Sequence, residues 1–381
     1  MTAMSERREY TMKIQWIEFQ NLKTGLIIER VNFNEDITLL VGLSGAGKTQ
    51  ILNAIEYSLS LASGKENRLS PCLVSIGVKI GKDEYEWTYK IAEVKNGMLF
   101  DGEEKYEFTY EKLKCGESVL FERSQEHVNV IGYDKVPQPK KDESLLVQYS
   151  ENKEFQTLIS GMRRFYSIET EIAVRAGVRS ENFNMMKAKA AGMLGRETKI
   201  PFEVFSKLPT SLKIYITKRY YPDLYGAILD AIQQMFAEVE DIDVEEDTIT
   251  ETYLVTINVY GKKLIQQDIS NGMLKAIYYV VELFTMSKDS LVLIDEFENG
   301  LGVNCIDWLS ELILDVRKDL QFIITSHHPK IINEIEKEKW KIIDRTVCTV
   351  KNYSSDDYGI GNSQHDAYFN LVNRWEYEGK I

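Results

Sequence analysis

The sequence predicts an α/β fold with a mixed sheet core, an antiparallel β-lobe and a helical insertion. Three observations carry that prediction. An apolar run, ITLLV, leads into VGLSGAGKTQ (Val41–Gln50), and apolar residues at helical spacing follow in ILNAIEYSLSLA, so strand, glycine-rich loop and helix come in succession. A second apolar run, LVLI at 291–294, ends on two acids, and a third, QFIIT at 321–325, ends on Ser-His-His-Pro. Strands buried on both faces read this way, as short apolar runs and not as alternations.

With 381 residues, 44% hydrophobic and 28% charged, the chain is ordinary globular material, long enough for two or three domains or one large fold with an insertion. No apolar stretch reaches the roughly 18 residues of a membrane span and no secretory leader opens the chain, which predicts a cytoplasmic protein without membrane contact. The four cysteines, Cys72, Cys115, Cys305 and Cys348, lie far apart without a C-x-x-C. That argues against a zinc site or disulfide framework and reads as buried small hydrophobes. A net charge of −13 disfavours a protein that coats nucleic acid over its whole surface, though not one basic groove. The charge is uneven: Arg163 to Arg219 holds about 12 basic against 5 acidic residues, and Glu238 to Glu251 about 8 acidic and none basic. The basic segment reads either as a solvated helical surface or as a contact for nucleic acid or an acidic partner.

Along the chain, the first eleven residues are polar, and Met12 is an alternative start to Met1. KIQWIEFQNL and GLIIERVNFN read as strands leading to the loop strand. LVSIGVKIG, YEWTYKIAEV and KYEFTY predict an antiparallel lobe. From Ser144 to Gln234 the pattern is helical, with weak amphipathicity and expected mobility around Gly177 to Gly195. YLVTINVYGKKL returns to β with a Gly-Lys turn, SNGMLKAIYYVVELF opens a helix, and KIIDRTVCTVKN with DAYFNLVNRWE predicts one strand and one helix at the end. The expected division is 1–142 (loop and β-lobe), 143–236 (helical insertion) and 237–381 (signature helix, acidic strand and histidine).

VGLSGAGKTQ fits G-x-x-x-x-G-K-[ST], with Gly42, Gly47, Lys48 and Thr49 at the fixed positions and Ser44, Gly45 and Gln50 beside them. Backbone N–H groups of such a loop wrap phosphates, the lysine reaches the outer ones and the threonine hydroxyl sits on Mg²⁺. The strand-end acids Asp295 and Glu296 suit a metal ligand and a general base in that order; alone, they also read as a helix cap. Ser270 and Gly272 open a helix, either as an ordinary cap or as a second approach for an anion. His327 ends a strand where it can reach a terminal phosphate.

In this order the pieces resemble the ABC-type ATPase heads of the RecF, structural-maintenance-of-chromosomes (SMC) and OLD group, over about residues 12 to 60 and 265 to 335. The resemblance implies a P-loop NTPase of ABC-ATPase head type using ATP and Mg²⁺. It implies that Ser270 and Gly272 act in trans on ATP held by a second subunit, so that the protein is at least a dimer. It also implies that Asn299 to Gly302 are like the D-loop, that His327 is like the switch histidine, and that a glutamine watches Mg²⁺. Gln148 is the candidate for that glutamine, with a plain surface glutamine as the alternative.

ENGLG, the diverged SNG and RRFYSIE (Arg163 to Glu169) look most like OLD-related ATPases of bacterial anti-phage systems, which commonly read D-E-P-E-N-G-L-H-P. Here Phe297 replaces the proline, and Gly302 and Val303 replace the final His-Pro. OLD proteins proper continue into a TOPRIM nuclease. No D-x-D follows His327 here, so the expectation is an ATPase switch without its own nuclease domain, governing a separate nuclease or TOPRIM-like effector as in Septu- and PARIS-like systems. The alternative is a RecF-like repair or chromosome-maintenance ATPase that clamps DNA.

Overall fold

The computed structural model describes residues 11–94, 105–136, 138–168, 177–194, 202–205, 207–360 and 364–377. In chain order the elements begin with β1 (Met12–Asn21), β2 (Ile27–Asn32), β3 (Ile37–Val41) and α1 (Lys48–Ser63). Next come β4 (Cys72–Ile80), β5 (Asp83–Glu93), β6 (Tyr106–Cys115), β7 (Ser118–Arg123) and β8 (Val128–Val130). Short helices α2 (Leu145–Gln148) and α3 (Lys153–Met162) precede β9 (Phe165–Ile168) and β10 (Val178–Arg179). The middle holds α4 (Ser180–Leu194), α5 (Phe202–Phe205), α6 (Thr210–Tyr220), α7 (Pro222–Met235), β11 (Val239–Asp247), β12 (Thr252–Val259), β13 (Lys262–Ile265) and α8 (Asn271–Thr285). The chain continues through β14 (Leu291–Ile294), α9 (Val303–Glu311), β15 (Gln321–Thr325), α10 (Pro329–Glu334), β16 (Trp340–Thr346), β17 (Thr349–Tyr353) and α11 (Gln364–Tyr377).

Packing divides the chain at positions other than 142 and 236. One unit holds residues 1–167, 289–294 and 319–381, the other 168–288 and 295–318.

The first unit is built on one 13-stranded sheet in the order β8-β7-β6-β5-β4-β1-β2-β17-β16-β3-β15-β14-β9. Its centre is parallel: β16, β3, β15 and β14 run side by side. Every residue of ITLLV, LVLI and QFIIT is buried, as strands covered on both faces require. Gln321 is the one amide among them, beside the buried hydroxyls of Thr38 and Thr325. Its Oε1 accepts from Ile14 N at 2.8 Å, and its Nε2 donates to Ile14 O at 2.8 Å and Asn34 O at 2.7 Å, so a buried amide links β15 to β1 with its donors and acceptor satisfied.

The expected β-lobe is the antiparallel run β4 to β8, continuous with the core because β4 pairs with β1 from Met12↔Ile80 to Asn21↔Cys72. In β5, Tyr85, Trp87, Tyr89 and Ile91 are buried by alternation. Glu111 and Arg123 face each other across β6 and β7, both buried, and pair at 2.5 Å. Glu111 also accepts from Trp87 Nε1 at 3.2 Å and Ser144 Oγ at 2.5 Å. A charge pair so far from water persists only with such partners, and here they fix the start of α2.

Three expectations need correction in this unit. Phe165–Ile168, within a stretch read as helical, is the edge strand β9, with Leu291 N donating to Arg164 O at 2.9 Å. The terminal KIIDRTVCTVKN is a hairpin, not one strand: Thr346 pairs with Thr349 across Val347 and Cys348. Val347 takes φ +52°, a conformation that no Gly, Asn or Asp signalled. Of the cysteines, only Cys72 and Cys305 are buried, while Cys348 is exposed.

The second unit holds β10, β12 and β11 in one sheet with β13 on β12. The acidic run Glu238 to Glu251, given no element in the sequence reading, contains β11. It is tied to the basic end of α6: Lys218 pairs with Asp241 at 2.5 Å and with Asp243 at 3.1 Å, and Arg219 with Asp243 at 2.9 Å. Lys213, also in the basic segment, is buried against Glu282 of α8 at 2.5 Å, and Thr210 Oγ1 donates to the same carboxylate at 2.6 Å. The two unlike charge runs therefore partly neutralise one another, and these three basic side chains are engaged internally. The region around Gly177 to Gly195 forms the regular helix α4 over 180–194; Gly195 and parts of the basic segment, with Glu169 and residues 1–10, lie outside the described residues. The turn after β12 is Tyr260-Gly261, not Gly-Lys, with φ of +49° and +70° and Val259 opposite Lys262, the two-residue geometry that suits a hairpin's twist. Among the described residues, no helix is long and apolar enough to cross a membrane.

Candidate nucleotide-binding site

The loop between β3 and α1 is shaped by its glycines and braced by the hairpin β16–β17. A Cβ on Gly42 would lie 2.4 Å from Ile343 O, and one on Gly47 would lie 2.6 Å from Val350 Cγ2. Gly47 adopts φ +106° and Gly45 φ +80°, values that side chains on L residues resist. Gly47 is also the residue before α1, and no side chain caps that helix start. Its first N–H groups and the positive end of its dipole are thus set for an anion. The Lys48 ammonium is folded onto its own loop, donating to Gly42 O at 2.8 Å and Leu43 O at 3.1 Å. Ser44, Gly45, Thr49 and Gln50 are exposed.

His327 follows β15, whose Thr325 pairs with Leu40 of β3, so the histidine and the glycine loop leave the same edge of adjacent parallel strands. His327 is exposed and Ser326 is buried, with Ser326 Oγ accepting from His328 N at 3.0 Å. The strand β14 ends at Ile294, in register with Ile324. Asp295 and Glu296 come next in the chain and belong to the second unit.

In the second unit α8 and the acidic turn are packed together. Ser270 caps α8, its Oγ accepting from Met273 N at 3.3 Å. Gly272 sits so close to the turn that a Cβ there would be 3.1 Å from Gly300 O and 3.6 Å from Gly302 N. Within the turn, Asn299 N donates to Glu296 O at 2.8 Å and Asn299 Nδ2 to Glu296 Oε2 at 3.4 Å. Glu296 is exposed and has φ +46°, uncommon for a residue other than Gly, Asn or Asp and concentrated at functional sites.

Phe297, where the resembling family has proline, is 1% exposed and meets Tyr279 of α8 edge to face at 5.6 Å. The hydroxyl of Tyr279 is held well above its ordinary pKa by burial and, secondarily, by the negative charges of Glu298 and Asp295.

The Gln148 side chain is engaged by the backbone before α2. Its Oε1 accepts from Lys140 N at 2.8 Å and its Nε2 donates to Lys140 O at 2.9 Å and Glu143 O at 2.7 Å. The amide holds the loop before α2. The sequence reading also missed residues that support the site: Ile343 and Val350 behind the glycines, and Lys275, which is buried in α8 and donates to Asn299 O. Only the helical position of Lys275, one turn beyond Gly272, could have drawn attention to it.

Among the described residues no group of three or more His, Cys, Asp or Glu side chains could cage a metal. In the first unit the exposed Thr49 hydroxyl stands at the uncapped start of α1, a hard oxygen donor of the kind Mg²⁺ accepts while completing its shell with phosphate and water. In the second unit the Asp295 carboxylate is half-buried.

In the first unit a glycine loop and a strand-borne histidine leave one parallel edge, and in the second a capped helix packs against an acidic turn. A family model described as "AAA domain, putative AbiEii toxin, Type IV TA system" matches residues 213–333. A curated relative, the chromosome partition protein Smc of Methanocaldococcus jannaschii, is 20% identical over 127 residues, a match covering 31% of this chain and 11% of that protein. A solved SmcHead bound to the C-winged helix domain of ScpA superposes with TM-score 0.51 at 12% identity, covering 89% of this chain and 96% of that one. The Smc head domain with an extended coiled coil, bound to the C-terminal domain of ScpA and derived from Pyrococcus furiosus, gives TM-score 0.50 at 12% identity, covering 91% and 98%. The two structures share the fold, and with the family match they support an ABC/SMC-type ATPase.

Proposed function

We propose that this chain is an ATP-binding and ATP-hydrolysing switch subunit that closes as at least a dimer around ATP and governs a separate effector, a nuclease or TOPRIM-like protein, in bacterial anti-phage defence. The observation that carries the reading is the buried Lys48 ammonium at the head of α1, lying on the carbonyls of a loop where Gly42 and Gly47 leave no room for side chains. Lys48 and the first N–H groups of α1 bind the phosphates, and Thr49 and Asp295 would hold Mg²⁺. When bound, Mg²⁺ neutralises charge on the transferring phosphoryl group. Glu296, exposed on its turn, takes a proton from the attacking water. His327 senses the terminal phosphate from the loop's own sheet edge. Ser270 and Gly272 present the capped start of α8 to ATP held by a second copy, so loss of the γ-phosphate loosens the pair.

The family description of a putative toxin ATPase supports the defence setting. A second reading, a chromosome-maintenance ATPase, is favoured by the likeness to SMC heads and to Smc itself. The internal pairing of Lys213, Lys218 and Arg219 removes part of the basic surface that either reading could use for nucleic acid or an acidic partner.

The test is particle mass by light scattering for wild type and Glu296→Gln, each with and without ATP and Mg²⁺. The expected result is an ATP-dependent larger species that persists in the variant and decays in wild type. Mass indifferent to ATP in both would sink the trans role of Ser270. Tight binding of gapped DNA by the chain alone would move the assignment to the second reading.

A further inference from the structure

We propose that Lys275 is a positioning residue for the Glu296 turn: its ammonium holds the Asn299 carbonyl and so keeps Glu296 in its left-handed conformation. The proposal rests on the reading of Glu296 as general base. Lys275 is only 5% exposed, an unusual place for a lysine, which is almost never fully buried unless paired. Its Nζ donates to Asn299 O, and its ammonium lies 5.8 Å from the ring centre of Tyr279, within reach of a cation–π contact.

The link to Glu296 is short and made of named bonds. Lys275 holds Asn299 by its carbonyl. Asn299 in turn donates from its backbone to Glu296 O at 2.8 Å and from its side chain to Glu296 Oε2 at 3.4 Å. Glu296 needs such support, because a φ of +46° is disfavoured for a side chain of its kind and persists only where the surroundings over-determine it. Two further approaches confine the same turn. The Lys275 Cδ lies 3.8 Å from where a Cβ on Gly300 would be, and Gly272 admits Gly300 O to 3.1 Å of its own missing Cβ. Lys275 and Gly272 stand three residues apart, on one face of α8. The helix whose first residues are assigned to the partner's ATP therefore also sets the base of its own subunit. A change at the start of α8 is transmitted to Glu296 through one lysine.

The experiment uses the full chain as wild type, Lys275→Met, Lys275→Arg, Lys275→Gln, Glu296→Gln and the K275M/E296Q double variant. It reads steady-state ATP hydrolysis, the Kd of a fluorescent ATP analogue, and thermal melting by circular dichroism. Methionine fills the lysine's volume without its hydrogen bond, and glutamine keeps a donor in case methionine does not fold. The expected result for K275M is a fall in kcat of roughly 10- to 100-fold, part of the range a general base contributes, with KM and the analogue Kd within about twofold of wild type. Lys275→Arg recovers most of the rate and Lys275→Gln less. On the E296Q background, K275M lowers the residual rate no further, because both changes disable one device.

Unchanged kcat in a folded K275M, or K275Q where K275M does not fold, overturns the proposal. So does a loss confined to analogue binding, which would make Lys275 a nucleotide contact. A further loss on top of E296Q would show that it acts elsewhere. An E296Q that hydrolyses ATP at the wild-type rate, or an inert wild type, overturns the general-base reading, and this proposal falls with it. A silent K275M beside an inert E296Q overturns only the role of Lys275.

Discussion

The glycine loop of the first unit and the acidic turn of the second are both tight turns that present chemistry, and they are held in opposite ways. The loop is fixed by what is missing from it. Gly42 and Gly47 let the backbone press onto Ile343 and Val350, and the one long side chain, Lys48, folds onto loop carbonyls. The turn is fixed by side chains reaching into it: Phe297 as a buried plug on Tyr279, Asn299 as a local brace, and Lys275 from the neighbouring helix. A backbone-packed loop tolerates almost no added atom, whereas a turn held by side chains tolerates no lost one.

The sharpest way to break that contrast is to remove the plug. Phe297→Ala deletes a fully buried ring and its edge-to-face partner contact, a change that typically costs about 3–5 kcal/mol. Chemical denaturation should show that loss, with Phe297→Leu losing less than about 1.5 kcal/mol. If Phe297→Ala were as stable as wild type, the turn would not hang on its side chain and the comparison would fail.

The loop should respond to the opposite change. Gly42→Ala and Gly47→Ala each force a methyl against atoms 2.4 and 2.6 Å away, overpacking that costs about 1–3 kcal/mol, with positive-φ strain added at Gly47. Gly45→Ala, also at positive φ but with nothing within 4 Å of the new methyl, isolates the strain alone, about 1–2 kcal/mol. Binding of a fluorescent ATP analogue should be abolished in the first two and weakened in the third. Equal loss in all three would make conformation, and not the hairpin behind the loop, the deciding constraint.

What the sequence disclosed was what neighbouring residues mark: the glycine spacing with the preceding apolar strand and the following helix, the cap at Ser270, and the strands before Asp295 and His327. Supports that come from elsewhere in the chain were hidden. Nothing local marks Lys275 as buried, Val350 as the wall behind Gly47, or Gln321 as a bridge to Ile14. Gln148, the candidate for the glutamine that watches Mg²⁺ with a plain surface glutamine as the alternative, has its amide engaged by the backbone of Lys140 and Glu143, which nothing in its local sequence marks. β11 was hidden by its composition, because its side chains are largely acidic and their partners Lys218 and Arg219 lie on another element. The division into units was hidden for a topological reason: β14 belongs to one and the residues directly after it to the other.

The smallest expected effect tests whether charge rigidifies the second unit. Asp243 on β11 is pushed up by burial, but hydrogen bonds from Arg219, from the Val244 N–H and from Lys218 outweigh this and hold it below the ordinary aspartate value of 3.8. A carboxyl with a depressed folded-state pKa contributes stability that is fully present above the unfolded value and lost as pH falls through the folded one. Its contribution should therefore be largely intact at pH 5 and be lost progressively as pH falls from about 3.8 through the depressed folded value, and solvent around Arg219 limits it to about 1 kcal/mol. Melting curves of wild type and Asp243→Asn at pH 5 and pH 3 isolate it from the other carboxylates: wild type should be the more stable at pH 5, and the difference should shrink at pH 3. A difference that stays constant across that interval would mean that α6 and β11 are joined by packing alone. The second unit would then be held, like the loop, by shape and not by charge.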